Sequence, residues 1–130
     1  MNKLTYIFVI IGVLYSTGCS IEEKVPIEKH FWVPNSFSPN GDGVNETFLI
    51  YPISGTAIDE FHLKIFTSQL QEIYRSDNFP DFYVEGWNGK NAGGTEMPAG
   101  YYEYQVIYTA AEDSINFHPY VTASTINLLR

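Results

Sequence analysis

Cysteine is nearly absent from this sequence, with a single residue, Cys19, among 130. One thiol excludes an internal disulfide framework and any metal site built from several cysteines. Basic residues are also few, since 7 Lys and Arg stand against 15 Asp and Glu, which gives a formal net charge of −8. No cluster of Lys and Arg is present to neutralise phosphates, so we expect no nucleic-acid partner.

Signatures of catalysis are missing as well. The sequence contains no Gly-x-Ser-x-Gly elbow, no phosphate-binding loop and no His-Glu-x-x-His motif. The histidines at 30, 62 and 118 are scattered along the chain, and no two of them are close enough in sequence to suggest a metal site. A lone small domain also offers little room for a substrate cleft. We therefore predict that the protein is not an enzyme.

Aromatic and apolar residues are abundant. The chain is 45% hydrophobic and 16% aromatic, with 10 Tyr and 9 Phe, a composition that favours β-structure and supplies a core. Residues 60–66 alternate between apolar and polar side chains, as in a half-buried strand. Residues 101–109 form the longest predicted strand, and further strands are predicted at residues 31–33, 47–51, 71–75 and about 120–129.

Outside the first residues, no segment shows the 3.6-residue period of an amphipathic helix. Residues 77–86 are predicted to be a loop, and so is the acidic stretch 110–116. Short strands at regular spacing over residues 30–130 predict an all-β fold, an immunoglobulin-like antiparallel β-sandwich of about seven strands.

The first 18 residues have the features of an export signal. Lys3 gives a positive charge, and the apolar run at residues 4–15 is shorter than the about 20 residues that a membrane-spanning helix needs. The small residues Thr17 and Gly18 precede Cys19 as in a bacterial lipobox, although Ser16 stands where Leu is usual. We predict a lipoprotein signal peptide at residues 1–18 and a lipid on Cys19 that anchors the chain in a bilayer. The alternative is an ordinary signal peptide with a chance cysteine.

A lipidated cysteine followed by a polar tether would occupy residues 19–29. The acidic residues Glu22 and Glu23 come shortly after Cys19 and resemble the signal that sends some lipoproteins to the outer face of the outer membrane. A solvated linker is the alternative. The segment therefore predicts a lipid-anchored protein of the outer membrane that is exposed at the cell surface.

The loop at residues 38–46 concentrates oxygen-bearing side chains. Asn40, Asp42, Asn45 and Glu46, with a backbone carbonyl at Val44, follow a relaxed form of the D-x-D-G-x-x-D calcium loop. Only two of these groups are carboxylates, so any Ca²⁺ affinity would fall in the weak, extracellular class. A rigid corner whose Asn and Asp side chains cap their own backbone fits the same residues. Both possibilities stay open.

Four segments of the chain resemble a known family. They are Val-Pro-Asn-Ser-Phe-Ser-Pro-Asn-Gly-Asp-Gly-Val-Asn-Glu-Thr-Phe at 33–48, Trp-Asn-Gly at 87–89 with Met-Pro-Ala-Gly-Tyr-Tyr at 97–102, and Ile-Asn-Leu-Leu-Arg at 126–130. In this order they resemble the gliding-motility-associated C-terminal domain, the type B sorting domain of the type IX secretion system. The resemblance covers about residues 31–130 and implies an immunoglobulin-like sandwich in a bacterial surface context.

A domain of this family normally follows a long secreted passenger, whereas here it follows a lipobox. We therefore expect a small, lipid-anchored protein-interaction subunit of a secretion, gliding or uptake complex, with outer-membrane or secreted surface proteins as partners. One alternative is a sorting or targeting domain of the type IX system. Another is a calcium-dependent adhesin or glycan-binding module. Trp32 and Trp87 are the candidate stacking platforms for a sugar, although a Trp in such a domain is more often part of the core.

Overall fold

The computed structural model of the protein describes residues 30–53, 56–110 and 119–130. The predicted signal peptide at 1–18, the predicted lipid site at Cys19 with its tether, and most of the predicted acidic loop at 110–116 lie outside these residues. Within the described ranges, no helix combines the length and the apolar character that a membrane span requires.

The described residues form seven strands and one short helix. In chain order these are β1 (Phe31–Trp32), β2 (Ser36–Phe37), β3 (Tyr51–Pro52), β4 (Ile58–Phe66), β5 (Glu72–Ser76), α1 (Phe79–Glu85), β6 (Gly100–Ala110) and β7 (Tyr120–Leu128). Strands β1 and β3 make a two-stranded sheet, and the others make a five-stranded sheet in the order β2-β7-β6-β4-β5. The two sheets form an open sandwich, which confirms the predicted all-β, immunoglobulin-like fold class.

The core follows from the alternation of the long strands. Phe61, Leu63 and Ile65 on β4 are buried, and so are the even-numbered aromatic and apolar residues of β6, because alternate side chains of a strand point to one face. Trp87 is fully buried and lies against Phe37, with the ring centroids 5.2 Å apart. Large buried side chains each contribute about 1.5–3 kcal/mol, so this aromatic core supplies most of the stability.

The helix α1 corrects one prediction, because residues 77–86 were expected to form a loop. Asn78 caps the helix by accepting a hydrogen bond from the Asp81 N–H at 3.0 Å, and a proline occupies its first turn. Gly86 ends it at φ 64°. With only seven residues, the helix is too short to show a clear period, but its cap residues were present in the sequence.

Strand pairing near the start of the domain also differs from the prediction. The strand expected at residues 47–51 is reduced to β3 and to an isolated bridge between Phe48 and Trp87. Strand β2 was not predicted, and it pairs in parallel with β7 while the other strand neighbours are antiparallel. Pro34 lies between β1 and β2, where the chain passes from the small sheet to the large one. Since proline has no N–H for a strand ladder, it fits such a switch.

Candidate functional site

The segments that carry the family resemblance lie far apart in sequence but meet at one end of the sandwich. Gly89 is at the meeting point, because a Cβ built on it would be 3.3 Å from Pro39 Cγ, 3.2 Å from Leu128 Cδ1 and 3.4 Å from Arg130 Nη2. We call this region the signature end, and it comprises residues 38–48, 87–100 and 126–130. Because φ at position 89 is 78° and these three side-chain atoms are close by, this position favours glycine.

Trp87 anchors the corner of the signature end from inside. Its backbone pairs with Phe48, and its indole Nε1–H donates to the Lys90 carbonyl at 2.7 Å. The ring packs edge-on against Tyr102, with centroids 5.2 Å apart. Trp87 is therefore a core residue and not a sugar-stacking platform, since its side chain is entirely within the core.

The Pro-Ala-Gly segment is fixed by hydrogen bonds to the same corner. The Met97 N–H donates to the Gly89 carbonyl at 2.8 Å, and the Tyr102 hydroxyl donates to the Pro98 carbonyl at 2.6 Å. Burial raises the pKa of the Tyr102 hydroxyl, and the Arg130 charge opposes that shift only in part. The neutral phenol therefore remains a donor at physiological pH.

The side chain of Arg130 contacts the same corner, at residues 87–89 and 97. Its Nε donates to the Met97 carbonyl at 3.0 Å and its Nη2 to the Gly89 carbonyl at 3.2 Å. Its Nη1 also lies 3.5 Å from a carboxylate oxygen of Glu96, which is largely exposed. The planar guanidinium can make these three contacts at once, which a lysine could not do.

The loop at residues 40–46 is held by its own side chains. Both carboxylate oxygens of Glu46 accept hydrogen bonds, from the Gly41 N–H at 3.0 Å and the Gly43 N–H at 2.9 Å. Asn40 Oδ1 accepts from the Asp42 N–H, and Asp42 Oδ1 accepts from the Val44 N–H at 2.8 Å. The backbone hydrogen bond from Val44 is the main reason why the pKa of Asp42 is below its usual range.

These bonds describe the self-capped corner that was one of the two possibilities for the loop. Of the predicted calcium ligands, Asn40, Asp42 and Glu46 use side-chain oxygens to bind backbone N–H groups. The Asn45 carbonyl accepts from the Ser38 N–H at 2.8 Å, which closes the loop. In the described residues, no group of three or more His, Cys, Asp and Glu side chains is arranged to hold a metal. Calcium binding, with Val44 as the carbonyl ligand, stays a prediction.

A second surface was not foreseen from the sequence. Trp32, Tyr51 and Tyr83 form an exposed cluster, which we call the aromatic patch, with 61%, 38% and 46% of each residue accessible. The ring of Tyr51 lies 5.3 Å from that of Trp32 and 6.1 Å from that of Tyr83. The pairing of β1 with β3 brings Trp32 opposite Tyr51, and that register could not be inferred from the sequence alone.

A comparison with protein families matches residues 31–122 to the CHU_C type IX secretion signal domain. The chain belongs to this family. The match confirms the resemblance to a type IX sorting domain, whereas no curated protein matches the chain at a significant level. Membership indicates a secreted or cell-surface protein, and this type IX family is one of secretion signals, not of catalysts.

Proposed function

We propose that the CHU_C domain of this chain serves as a sorting or targeting domain for the type IX secretion machinery, with the signature end as the recognised surface. The observation that supports this role is the convergence of the family-like segments on Gly89. Pro39, Leu128 and Arg130 come from segments that are far apart in sequence, and all three lie beside Gly89.

The form of the signature end suits recognition by a partner protein. The loop at 40–46 is exposed, yet its backbone is fixed by Glu46 and Asp42. Arg130 adds a cationic group that keeps about a quarter of its side chain accessible. A loop that is already ordered loses less conformational entropy on binding, so a pre-formed surface binds more tightly than a mobile one.

A secretion assay tests the sorting role. A reporter enzyme with a general export signal is placed before residues 30–130 and produced in a bacterium that has a type IX system. We expect the reporter at the cell surface or in the medium, and in the periplasm when the outer-membrane translocon gene is deleted. Equal release from the deletion strain would contradict the proposal.

Two arginine variants refine the assay. Arg130→Ala removes the contacts with Gly89 and Met97, and we expect less reporter outside the cell. Arg75→Ala is the matched control, since Arg75 pairs with Glu72 on β5 and lies outside the signature end. Equal loss of secretion in both variants, with both domains folded, would argue against recognition through the signature end.

The second candidate is a lipid-anchored interaction subunit of a surface complex. It is supported by the lipobox-like residues before Cys19 and by the aromatic patch, since exposed aromatic clusters are typical of protein-interaction sites. Cys19→Ala should move the protein from the outer-membrane fraction to the soluble fraction. If the location is unchanged, the lipoprotein role is lost while the sorting role is unaffected.

A further inference from the structure

Strand β7 has one backbone edge that is only partly paired. One side of β7 pairs with β6 along its whole length, and the other side pairs with β2 at Asn127 and Leu128. On that second side, the Asn127 N–H donates to the Asn35 carbonyl at 3.0 Å, and the Leu129 N–H donates to the Phe37 carbonyl at 2.9 Å. The odd-numbered amides therefore point away from β6.

The same alternation applies further back along β7. In an antiparallel pair of strands, a residue whose N–H points away from the neighbouring strand also points its carbonyl away from that strand. This orientation repeats at every second residue. Val121, Ala123 and Thr125 therefore present both backbone groups outward. In the parts of the chain that the structure describes, no strand pairs with this stretch, since the chain leaves the edge at Pro34.

Burial along β7 agrees with an open edge. Ser124 lies on the same face as the buried Thr122 and Ile126, yet it is exposed, as are its neighbours Ala123 and Thr125. The core layer thus does not cover this part of the sheet. An open groove of about 490 Å³ adjoins these three residues, and its other lining residues include Phe66, Leu70, Glu103 and Gln105.

The opposite edge of the sheet, at β5, is protected against the addition of a further strand. Strand β5 carries the charged residues Glu72 and Arg75, and its pairing with β4 has a bulge at Ile73. The Ala92 N–H donates to the Ile73 carbonyl at 3.0 Å, so a neighbouring loop covers that edge. Charges, bulges and covering loops are the devices by which proteins block strand addition, and residues 120–128 have no charged side chain.

We propose that the outward edge of β7 at Val121, Ala123 and Thr125 binds an extended strand of a partner protein. The added strand would pair with the part of the β7 edge that β2 leaves unpaired, and it would extend the sheet by one strand. Unpaired N–H and C=O groups in strand geometry are complementary to another strand. Every second side chain of the added strand would lie beside the groove. Since Glu103 lines this groove, a Lys or Arg of the partner is favoured there. This strand site does not depend on the sorting role of the signature end.

A second copy of this chain is a poorer occupant than a basic partner. Each copy carries a formal net charge of −8, so two copies repel each other, whereas a basic segment is attracted. In such a dimer, β7 of one copy would pair with β7 of the other. Residues 120–128 carry no charged side chain, so no opposite charges would offset the repulsion between the copies.

Amide exchange of the ¹⁵N-labelled full chain tests the proposal with the peptide Lys-Thr-Val-Thr-Val-Thr-Lys as the probe. In the free chain, we expect rapid exchange at Val121, Ala123 and Thr125 and slow exchange at Thr122 and Ser124, which bond to β6. With the probe, the three odd-numbered amides should become slow as well. Slow exchange at these amides before the probe is added would overturn the proposal, because the edge would already be covered.

Variants at Thr125 separate backbone binding from side-chain binding. Thr125→Pro removes an outward N–H and should weaken the probe about tenfold, whereas Thr125→Ala keeps the N–H and should bind normally. If Thr125→Pro does not fold, Ala123→Pro replaces it. Equal affinities for the proline and alanine variants, or no binding at millimolar probe, would refute the strand site. A dimer in sedimentation with the same protected amides would assign the edge to a second copy and contradict the proposed partner.

Discussion

Phe48 and Trp87 exchange two backbone hydrogen bonds, Phe48 N–H to the Trp87 carbonyl at 2.8 Å and Trp87 N–H to the Phe48 carbonyl at 3.0 Å. This two-residue bridge joins the end of the self-capped loop to the Trp-Asn-Gly corner. Gly86 lies immediately beside it, with φ 64°. The bridge therefore makes the signature end sensitive to small changes at position 86.

Gly86→Ala should destabilise the domain strongly. The added Cβ would lie 2.7 Å from the Phe48 carbonyl oxygen and 2.8 Å from Leu49 Cδ2, in a backbone conformation that side chains resist. We expect a loss of about 2–4 kcal/mol in urea unfolding, from strain and overpacking together. Gly94→Ala is the control, because φ is also positive there but the space is open, and it should cost about 1 kcal/mol. Similar losses in both variants would show that the contact with Phe48 is unimportant.

Arg130→Lys should weaken the signature end although the charge is retained. Lysine has no planar fork, so it cannot reach the Gly89 and Met97 carbonyls together. We expect a loss of about 1 kcal/mol in thermal or urea unfolding. Arg75→Lys, at the exposed pair with Glu72, should change stability by only a few tenths of a kcal/mol. An unchanged Arg130→Lys protein would mean that these carbonyl contacts contribute nothing.

Glu46→Gln should loosen the loop at 40–46. The amide supplies one acceptor oxygen where two are needed, and its NH₂ group would face an N–H donor. We expect faster amide exchange at Gly41 and Gly43, with Glu60→Gln as an exposed control.

Acid should weaken the same loop through Asp42. Because the folded-state pKa of Asp42 is depressed, its contribution to stability is present above about pH 3.8 and is lost as the pH falls below that value.

Calcium provides a separate test of the same loop. If Asn40, Asp42, Val44, Asn45 and Glu46 bind Ca²⁺, millimolar Ca²⁺ should raise the melting temperature relative to EGTA, and Glu46→Gln should abolish that rise. Calorimetry with no heat, together with identical melting curves, would leave the self-capped corner as the whole explanation of the loop.

Alkaline pH should destabilise the domain through Tyr102. Burial raises the folded-state pKa of its hydroxyl above the unfolded value of 10.0, so the protein is stabilised below pH 10 and loses that stability as the pH rises further. Tyr102→Phe should lower stability by about 1 kcal/mol at pH 7, because the bond to Pro98 is lost, and should flatten the decline above pH 10. Tyr101→Phe is the control for the loss of a tyrosine hydroxyl, and it should keep the wild-type stability at pH 7 because Tyr101 is exposed. A steep alkaline decline that persists in Tyr102→Phe would assign it to other groups.

The long strands could be predicted from the sequence because their alternation is strong. Strand β4 has Phe61, Leu63 and Ile65 on its core face, and β6 has four aromatic or branched residues on one side, so period and burial agree. The family segments were also recognisable from their order. These features depend on residues that are neighbours in the chain.

The elements that were missed depend on distant contacts. Strand β2 has two residues and is defined by its pairing with β7, and the Phe48–Trp87 bridge likewise has no local period. The aromatic patch exists because Trp32 is opposite Tyr51, which is a matter of register. In contrast, α1 had local signals in Asn78 and Gly86, and its cap could have been predicted.

The parallel pairing of β2 with β7 has a consequence for the order of folding. Ser36 meets Asn127, so the sheet is completed by residues from opposite ends of the domain, and β2 stays without its partner until β7 has been synthesised. Such non-local contacts slow folding, since the loop between them must close before any bond is gained. A chain that has been synthesised only as far as β6 would therefore lack both β7 and the paired form of β2.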